Sequence, residues 1–499
     1  MNIRIFLTLA GLVLVFDFNT LATVRYVDSN STNATPPFTD WTTAAATIQD
    51  AVNSSVSGDL VLVTNGVYTM GTVTNNGQSY RVSVTNAITL QSINGPAVTV
   101  IDGGGAVPCV YLTDGTVLSG FTIIRGHNNY RGGGVNCAST LDQSGYPLPG
   151  SAQIINCCVN SNLALIDGGG VASGIISNCI ISHNKAGGAG GGALLSTLVN
   201  CTLSYNIAGG GALATGGGTA FSTLKYCLIS SNTNNGAFSS DLNNCLVVSN
   251  IGVGSIFCYL TNSTVCGNSQ YGVTSVNGGY SLIYNSVIYY NGLGNCDYRY
   301  GLTIANSCTT PLAPGSGNIT NAPLFVNMAA GDFHLGFNSP CINAGNNSLL
   351  IGTRDYDGNT RIVGGTVDIG AYEFQSPSSS LSYAWAQQYG LTTDGSADFA
   401  NPDGDGLNNW QEWIAGTNPT NAVSVLKMLA PSNSVSGLKV SWQSVSGKTY
   451  FLQRASDLTA QPAFSTLQSN LSGQASSTVY TDNSATNGGP YFYRVGVQQ

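Results

Sequence analysis

One short pattern, repeated through the middle of the chain, constrains the fold more than any other feature. An apolar residue is followed by Cys or Ser three positions on, by an apolar residue two later, and by Asn three later. Successive Cys or Ser positions are 22, 22, 26, 18, 18 and 23 residues apart. A period near 22 residues indicates a stacked repeat architecture. The seven copies are Ile154-Cys157-Val159-Asn162, Ile176-Cys179-Ile181-Asn184, Leu198-Cys201-Leu203-Asn206, Leu224-Cys227-Ile229-Asn232, Leu242-Cys245-Val247-Asn250, Leu260-Ser263-Val265-Asn268 and Ile283-Ser286-Ile288-Asn291.

Each copy predicts a short strand whose apolar face is buried by the next coil. The Cys and the following apolar residue are two apart, so they face the same side of a strand. Stacked coils would form parallel sheets, and their Asn side chains would form a hydrogen-bonded ladder with about 4.8 Å between rungs. We expect the Asn to lie where the chain bends, because Asn tolerates left-handed backbone conformation. Gly runs after the bend would allow close approach between coils.

Composition argues against a helical solenoid of similar period. Gly accounts for 63 of 499 residues, well above the usual share of about 7%. No segment between the copies has a 3.6-residue apolar rhythm. The predicted fold class is therefore all-β: a right-handed parallel β-helix solenoid followed by a small C-terminal β-sandwich.

The pattern, found over roughly residues 118–291, resembles the pectate-lyase-like family of secreted bacterial β-helix proteins. That family includes polysaccharide lyases, some glycoside hydrolases and many surface proteins without known activity. The resemblance implies the fold and an extracellular location, and leaves the chemistry open.

Residues 1–22 are interpreted as a secretory signal peptide. Arg4 supplies the positive end, Ile5 to Phe16 is an apolar run too short to span a membrane, and Ala22 suits cleavage. The alternative is a buried N-terminal strand. No second long apolar run follows, so the mature chain is predicted to be secreted or on the cell surface without a membrane span.

The charge of the chain bears on the class of partner, and its cysteine content bears on whether disulfides form. Charged residues make up 8% of the chain and the formal net charge is -8, which argues against nucleic acid as a partner. The 13 cysteines suggest disulfides in a secreted protein. Those of the repeat, however, share their position with Ser, and in an earlier coil with Phe121. We interpret them as small buried side chains, although neighbours one coil apart would lie within disulfide reach.

The segments around the repeat predict a capped solenoid. A short helix within residues 44–53 would bury Ile48, Ala51 and Val52 over the first coil, because an open strand edge invites aggregation. A Pro-containing loop from Ala138 to Ser151 would project from the solenoid. Residues 323–374 contain SPCINAG and DIGAYE, and they resemble the closing segment of the bacterial choice-of-anchor Q family. The β-helix is thus predicted to occupy residues 23–375.

A linker is predicted at residues 376–421, and it contains a candidate calcium loop. The expected ligands are Asn401, Asp403, Asp405, the carbonyl of Leu407, and Glu412, at the spacing of an EF-hand loop. Asn in place of the usual first Asp should weaken binding. The stretch also resembles calcium loops of dockerins and thrombospondin type-3 repeats. The predicted cofactor is a structural calcium ion, and the alternative is an acidic, turn-rich linker.

Residues 422–499 contain four short alternating runs that predict an antiparallel β-sandwich. This segment resembles the fibronectin-III-like C-terminal modules of secreted bacterial proteins. The runs are Leu438 to Trp442, Thr449 to Arg454, Ser477 to Thr481 and Tyr491 to Val497.

Aligning the coils predicts one surface patch that could carry chemistry, beside the projecting loop. Candidate catalytic residues occupy equivalent outward positions two coils apart, and Arg131 and Asp167 precede Gly runs closely enough to pair. Arg131 and the outward-facing Tyr289 are candidate ligand-binding residues. The candidate catalytic residues are Arg125, His127, His183, Lys185 and Asp167.

Three functions fit these residues. A lyase of the resembled family places an Arg or Lys base and acidic calcium ligands on such a face, but no cluster of acids accompanies the cations here. A glycoside hydrolase needs two paired carboxylates, and acidic residues are scattered in the coils. The favoured function is therefore a monomeric protein that binds extracellular polysaccharide or another cell-surface component. A lyase, or less readily a hydrolase, acting on acidic polysaccharide and a purely structural or adhesive solenoid are the alternatives.

Overall fold

Long parallel sheets dominate the fold and establish a parallel β-helix. The proposed signal peptide lies outside the described residues except for its last position. The right-handed sense of coiling stays a prediction. The computed structural model describes residues 22–141, 147–209, 215–275, 279–299, 301–486 and 489–498.

Four parallel sheets line the solenoid, named here sheet 1, sheet 2, sheet 3 and the short sheet. Sheet 1 comprises Val24–Val27, Leu60–Val63, Thr89–Ser92, Val117–Ser119, Gln153–Ile155, Ile175–Ser177, Thr197–Val199, Thr223–Lys225, Asp241–Asn243, Tyr259–Thr261, Tyr280–Tyr284 and Gly301–Ala305. Sheet 2 comprises Gly66–Tyr68, Thr99–Asp102, Thr122–Ile124, Cys158–Asn160, Ile180–Ser182, Thr202–Ser204, Leu228–Ser230, Leu246–Val248, Thr264–Cys266, Val287–Tyr289 and Cys308–Thr309. Sheet 3 comprises Val82–Val84, Val110–Leu112, Val135–Cys137, Val171–Ala172, Ala193–Leu194, Thr219–Ala220, Ala237–Phe238, Ser255–Ile256, Tyr271–Thr274 and Gly294–Cys296. The short sheet comprises His127–Asn128, Leu163–Ala164, Lys185–Ala186 and Ile207–Ala208.

Each central coil visits sheet 1, sheet 2, the short sheet and sheet 3 in turn, then returns to sheet 1. The repeat stays in register from coil to coil: Ile154 of sheet 1 pairs with Ile176, and Ile176 with Leu198. One copy of the repeat therefore spans two strands and the corner between them. Its apolar and Cys positions point inward and form one continuous core with the first coils.

The predicted Asn ladder is present, and the Cys positions of the repeat form a second ladder beside it. The repeat cysteines are buried, and all thirteen cysteines of the chain are free. In the Asn ladder, Asn162 Nδ2 donates to Asn184 Oδ1 at 2.9 Å, and Asn184 Nδ2 donates to Asn206 Oδ1 at 3.0 Å. The same bond continues rung by rung to Asn291.

The expected place of the left-handed residue was wrong. The ladder asparagines are not left-handed; the residue just before each of them is, as with Ser161 (φ 56°), His183 (φ 55°) and Tyr205 (φ 57°). The Asn side chain must point into the coil to bond the next rung, so the preceding residue makes the bend. The Gly runs allow the predicted close approach: a Cβ on Gly170 would lie 2.6 Å from the carbonyl oxygen of Gly192.

The first coil is covered by helix α1, Ile48–Asn53. Ile48, Ala51 and Val52 are buried as predicted, and the helix contacts the first strands of sheets 1 and 3. Thr47 caps α1 by accepting a hydrogen bond from the backbone N–H of Asp50. Short 3-10 turns occur at Trp41–Thr43, Met328–Ala330 and Asn347–Leu349.

After the last coil the chain folds back over the outer face of sheet 2. Outward residues there, such as Val248 and Val287, pack against Phe333, Ile369 and Tyr372 of the returning segment. The later strands Leu246–Val248 and Val287–Tyr289 of sheet 2 are apolar on both faces, which is a sequence signal for this cover. Two-stranded antiparallel hairpins lie at Val73–Asn75 with Gln78–Tyr80, Thr140–Leu141 with Pro147–Leu148, and Phe325–Asn327 with Asp332–Leu335.

The segment containing DIGAYE buries a polar network. Arg361 is fully buried and donates through Nη2 to the carbonyl oxygens of Asp368 and Gly370. The Asp368 carboxylate accepts backbone hydrogen bonds from Asn343 at 2.7 Å and Phe374 at 2.6 Å. Arg361 and Asp368 therefore hold the returning segment together from inside.

Among the described residues, two helices and two antiparallel sheets follow the returning segment. Helix α2 is Tyr383–Gln388 and helix α3 is Asn409–Ala415. The two sheets enclose one cluster centred on Trp442 and Tyr450, which partly supports the predicted sandwich. One sheet contains Ser432–Ser434, Gly437–Ser444 and Ser476–Asp482, and the other Ser465–Ser472, Thr449–Ala455 and Phe492–Val497.

Candidate functional sites

Five side chains form a strip along the corner between sheet 2 and the short sheet. The left-handed residue at this corner directs its side chain outward, and the residue two positions later starts the short sheet. In the parallel register His127 pairs with Leu163, and Leu163 pairs with Lys185, so the candidate residues are two coils apart as predicted. The lateral strip is defined here as Arg125, His127, His183, Lys185 and Tyr205.

Arg125 is held by a buried carboxylate that the sequence reasoning did not connect with it. Its Nε donates to Asp102 Oδ1 at 3.0 Å, and its Nη2 donates to Asp102 Oδ2. Burial alone would raise the pKa of Asp102, but hydrogen bonds from Arg125 and the Gly104 N–H hold that pKa below its usual value. In turn, the hydrogen bond to Asp102 raises the pKa of Arg125. This makes Arg125 a weaker candidate for a catalytic base, because a base must release its proton.

The middle of the lateral strip is more open. The rings of His183 and Tyr205 stack with centroids 5.1 Å apart and an interplanar angle of 15°. Tyr205 is 55% exposed, and the side chain of Lys185 also faces solvent. Within the described ranges, neither His183 nor Lys185 has an ion-pair partner. Tyr205 could have been found from its position four residues after Cys201, equivalent to that of His183 after Cys179.

The remaining candidates, two beside the strip and His127 within it, contact other groups of the protein itself. Arg131 Nη2 lies 3.3 Å from Asp167 Oδ2, so this predicted pair is present. Asp167 also accepts a hydrogen bond from the Ala189 N–H, and Arg131 lies over the ring of Tyr130. His127 Nδ1 lies 3.2 Å from the carbonyl oxygen of Gly105.

Two expectations about this surface need correction. The hairpin within Ala138–Ser151 leaves the coil between sheet 3 and sheet 1, whereas the strip lies between sheet 2 and the short sheet. The described ends of the loop, Thr140–Leu141 and Pro147–Leu148, therefore lie at a different corner from the strip; residues 142–146 are outside the described part. Tyr289 does face out of its coil, but the returning segment covers it, and its hydroxyl donates to the Thr320 carbonyl oxygen at 3.1 Å.

The predicted calcium loop brings three of its five expected ligand residues together. One carboxylate oxygen each of Asp403, Asp405 and Glu412 lies within 4.8 Å of the others. Asp403 Oδ1 and Asp405 Oδ1 accept backbone hydrogen bonds within the loop, from Asp405 and Leu407. The second oxygen of each, and Glu412 Oε2, are buried without a hydrogen-bond partner. Three orphaned carboxylate oxygens fit a hard cation, which would neutralise them.

Helix α3 places Glu412 in this group. Asn408 caps the helix, and its side chain and that of Gln411 each accept the other's backbone N–H. Burial, followed by the charges of Asp403 and Asp405, raises the pKa of Glu412 to about 7. Asn401 contributes its Oδ1 to a turn by accepting from the Gly404 N–H. The acidic group is therefore placed to hold a metal ion.

Comparison with known proteins adds little about chemistry. No family model and no curated protein matches this chain. The solved structure of pectate lyase Pel9A is 16% identical over 70% of this chain and 96% of its own, with a TM-score of 0.42. XylC in complex with xylose is 9% identical over 70% and 98%, with a TM-score of 0.38. Scores this low leave both fold and function to be judged from the residues of this chain.

Proposed function

We propose that this chain is an extracellular β-helix protein that binds acidic polysaccharide along the lateral strip and does not cleave it. The observation that supports this is the exposed run of His183 and Lys185 on one coil and Tyr205 on the next. Cationic groups attract uronate carboxylates, and an exposed aromatic ring can stack on a sugar. From the coil of Arg125 to that of Tyr205 the strip extends about 14 Å, at about 4.8 Å per coil.

Two features make binding a better proposal than catalysis. The ion pair with Asp102 stabilises the protonated form of Arg125, which would hinder its use as a lyase base. Glycoside hydrolysis requires a pair of carboxyl groups, and the described residues of the strip include no such pair. A polysaccharide lyase acting on acidic polysaccharide is the alternative that turnover would reveal.

We also propose calcium as the ion of the acidic group, because all its donors are oxygens and their order follows an EF-hand-like loop. Asp403, Asp405 and Glu412 would hold it, with Asn401 and the Leu407 carbonyl as further ligands. A bound ion would neutralise buried carboxylates and join the loop to α3. In the described chain no helix combines the length and apolar character needed to cross a bilayer.

The finer assignments are proposals of the same kind. They are the signal peptide and secretion, the monomeric state, and boundaries at residues 22, 375 and 421. Likewise proposed are a choice-of-anchor Q-like end of the β-helix and a fibronectin-III-like C-terminal module. The buried returning segment and the two antiparallel sheets support the last two.

Binding and turnover should be measured together on the mature protein. We expect acidic polysaccharides to bind, with affinity falling as salt rises because exposed charges are screened. The double variant His183→Ala/Lys185→Ala should lose about tenfold in affinity, equivalent to about 1.4 kcal/mol. Lys225→Ala is the matched control, since Lys225 is exposed on sheet 1, away from the strip. Equal affinity of the double variant and the control would contradict the proposal.

Ultraviolet absorbance of unsaturated uronate and new reducing ends should be followed in the same samples. Neither signal is expected. Absorbance that disappears in Arg125→Ala would replace the proposal with a lyase. Reducing ends without absorbance would indicate hydrolysis instead. Absence of binding to every polysaccharide would leave a structural or adhesive solenoid.

A further inference from the structure

A cleft of about 1170 Å³ opens where the end of the β-helix meets the C-terminal part of the chain. Its walls come from the turn after the last coil, from helices α2 and α3, and from the edge of one antiparallel sheet. Representative residues of these walls are Asn318, Asn346, Trp385, Trp413 and Thr449. The cleft shares no residue with the lateral strip.

Three of the five tryptophans of the chain line this cleft: Trp385, Trp410 and Trp413. Trp410 and Trp413 are three residues apart on α3, so they lie on the same helix face. Trp410 is 37% exposed, and the other two are half-buried. Among the described residues, no protein acceptor takes their indole N–H groups. Tryptophan is usually buried with its N–H bonded, so partly open indoles sharing a cleft point to a ligand.

The rest of the lining is polar but almost without charge. The amides of Asn346 and Gln388 belong to the lining, whereas the amide of Asn318 is bonded to the backbone: its Nδ2 donates to the Ile304 carbonyl oxygen at 2.9 Å and its Oδ1 accepts from the Ser307 N–H at 3.0 Å. Lys448 is the one charged side chain in the described lining. The Lys448 ammonium donates to the Ile414 carbonyl oxygen at 2.8 Å, and burial lowers its pKa. It is therefore engaged with α3 and poorly suited to attract an anion.

We propose that this junction cleft binds a neutral oligosaccharide. The apolar faces of sugar rings would stack on the tryptophans, and the ring hydroxyls would exchange hydrogen bonds with the amides and the indole N–H groups. This ligand differs in charge from the one proposed for the lateral strip. The two sites use separate residues, so either can fail while the other stands.

The test is calorimetric titration of the full mature chain with neutral hexasaccharides of β-1,4-glucose, β-1,4-xylose, β-1,4-mannose and β-1,3-glucose, and with hexagalacturonate as the acidic comparison. At least one neutral probe should bind. Trp410→Ala and Trp385→Ala should each weaken that binding about tenfold, as for an aromatic residue at the centre of an interface. Trp41→Ala is the matched control, because Trp41 is 43% exposed and lies against Tyr26 of the first strand with an interplanar angle of 56°, at the other end of the solenoid.

Circular dichroism would confirm that each variant keeps its fold. Because Trp385 and Trp410 lie on different helices, the test can still be made if one of the two variants fails to fold. The double variant His183→Ala/Lys185→Ala should bind the neutral probe normally. Three results would overturn the inference: no neutral probe binds, binding survives both tryptophan variants, or hexagalacturonate binds in the cleft as tightly as the neutral probes.

Discussion

Asparagine is the residue that joins one coil of this protein to the next. The side chain of Asn206 donates to the Ile181 carbonyl oxygen at 2.8 Å and to Asn232 Oδ1 at 3.0 Å. Its Oδ1 accepts from both the backbone N–H and the amide of Asn184. A buried amide with every bond made stabilises the coil, but one missing rung leaves several polar groups unpaired at once.

Replacing a rung should therefore be costly. We expect Asn206→Ala to lower the free energy of unfolding by at least about 3 kcal/mol, since each buried unpaired group costs about 1–3 kcal/mol. Urea denaturation followed by circular dichroism would measure it. The control is Asn160→Ala: Asn160 is half-buried on the outer face and donates to Ser182 Oγ at 3.2 Å. Its loss should cost less than about 1 kcal/mol. Similar costs for the two variants would contradict a structural ladder.

At the scale of elements, the loop before α3 should respond to calcium and pH together. With Glu412 buried and its pKa raised to about 7 from 4.5, the folded state without an ion loses stability as pH rises through that range. Bound calcium would favour the ionised carboxylates. Calcium should thus raise the melting temperature more at pH 8 than at pH 5. At 100 times Kd, stabilisation would be about 2.7 kcal/mol.

Glu412→Gln provides the control for that prediction. The substitution keeps the size of the side chain and removes its charge, so the variant should show a much smaller calcium response. Its stability without calcium should also vary less between pH 5 and pH 8. An unchanged calcium response would mean that the ion binds elsewhere.

A second element-scale contact is a clasp around His334. His334 Nδ1 lies 2.6 Å from Asp332 Oδ1, and Nε2 lies 2.7 Å from Asp357 Oδ2, joining the strand Asp332–Leu335 to the turn near Asp357. Burial alone would lower the pKa of His334, but these hydrogen bonds raise it above 6.5. A histidine with a raised pKa contributes fully below its unfolded pKa, and the contribution is lost as pH rises through the folded pKa.

The melting temperature should accordingly fall more between pH 6 and pH 9 in the parent chain than in His334→Gln. Hydrogen bonds from His334 lower the pKa of Asp332 below 3.8. The clasp should therefore also lose stability at low pH, when the pH falls through that lowered pKa and Asp332 is protonated. Differential scanning calorimetry of both proteins across this range would measure the difference. Parallel curves would show that the clasp is not an ion pair in solution.

At the scale of the whole molecule, the cysteines report on the integrity of the solenoid. Twelve of the thirteen are buried, and only Cys158 is half-buried. Burial raises the pKa of several of these thiols, including Cys109 and Cys258 to about 12, and so suppresses the reactive thiolate. Ellman's reagent should therefore titrate at most one thiol in the native protein and all thirteen in guanidinium chloride. Several fast-reacting native thiols, or fewer than thirteen after denaturation, would contradict a free, buried ladder.

Much of this architecture follows from local sequence. The repeat of apolar residue, Cys or Ser, and Asn specifies inward positions, register and both ladders, because every coil meets a copy of itself. The acidic spacing from Asp403 to Glu412 likewise identifies the acidic group that could hold a metal ion, since its members are close in sequence. The left-handed residue was misplaced because the pattern shows which residues recur but not which one turns.

Other features depended on contacts between residues far apart in sequence. Asp102 holds Arg125 across one coil, and the returning segment covers Tyr289 and the later strands of sheet 2. The tryptophans of α2 and α3 face a cleft that exists only because the C-terminal sheets lie beside the end of the β-helix. By itself the sequence determined how each coil stacks on the next, because neighbouring copies interact by a repeated local rule. Only the tertiary structure decided which surfaces stay open, because that depends on where non-repeating segments fold back.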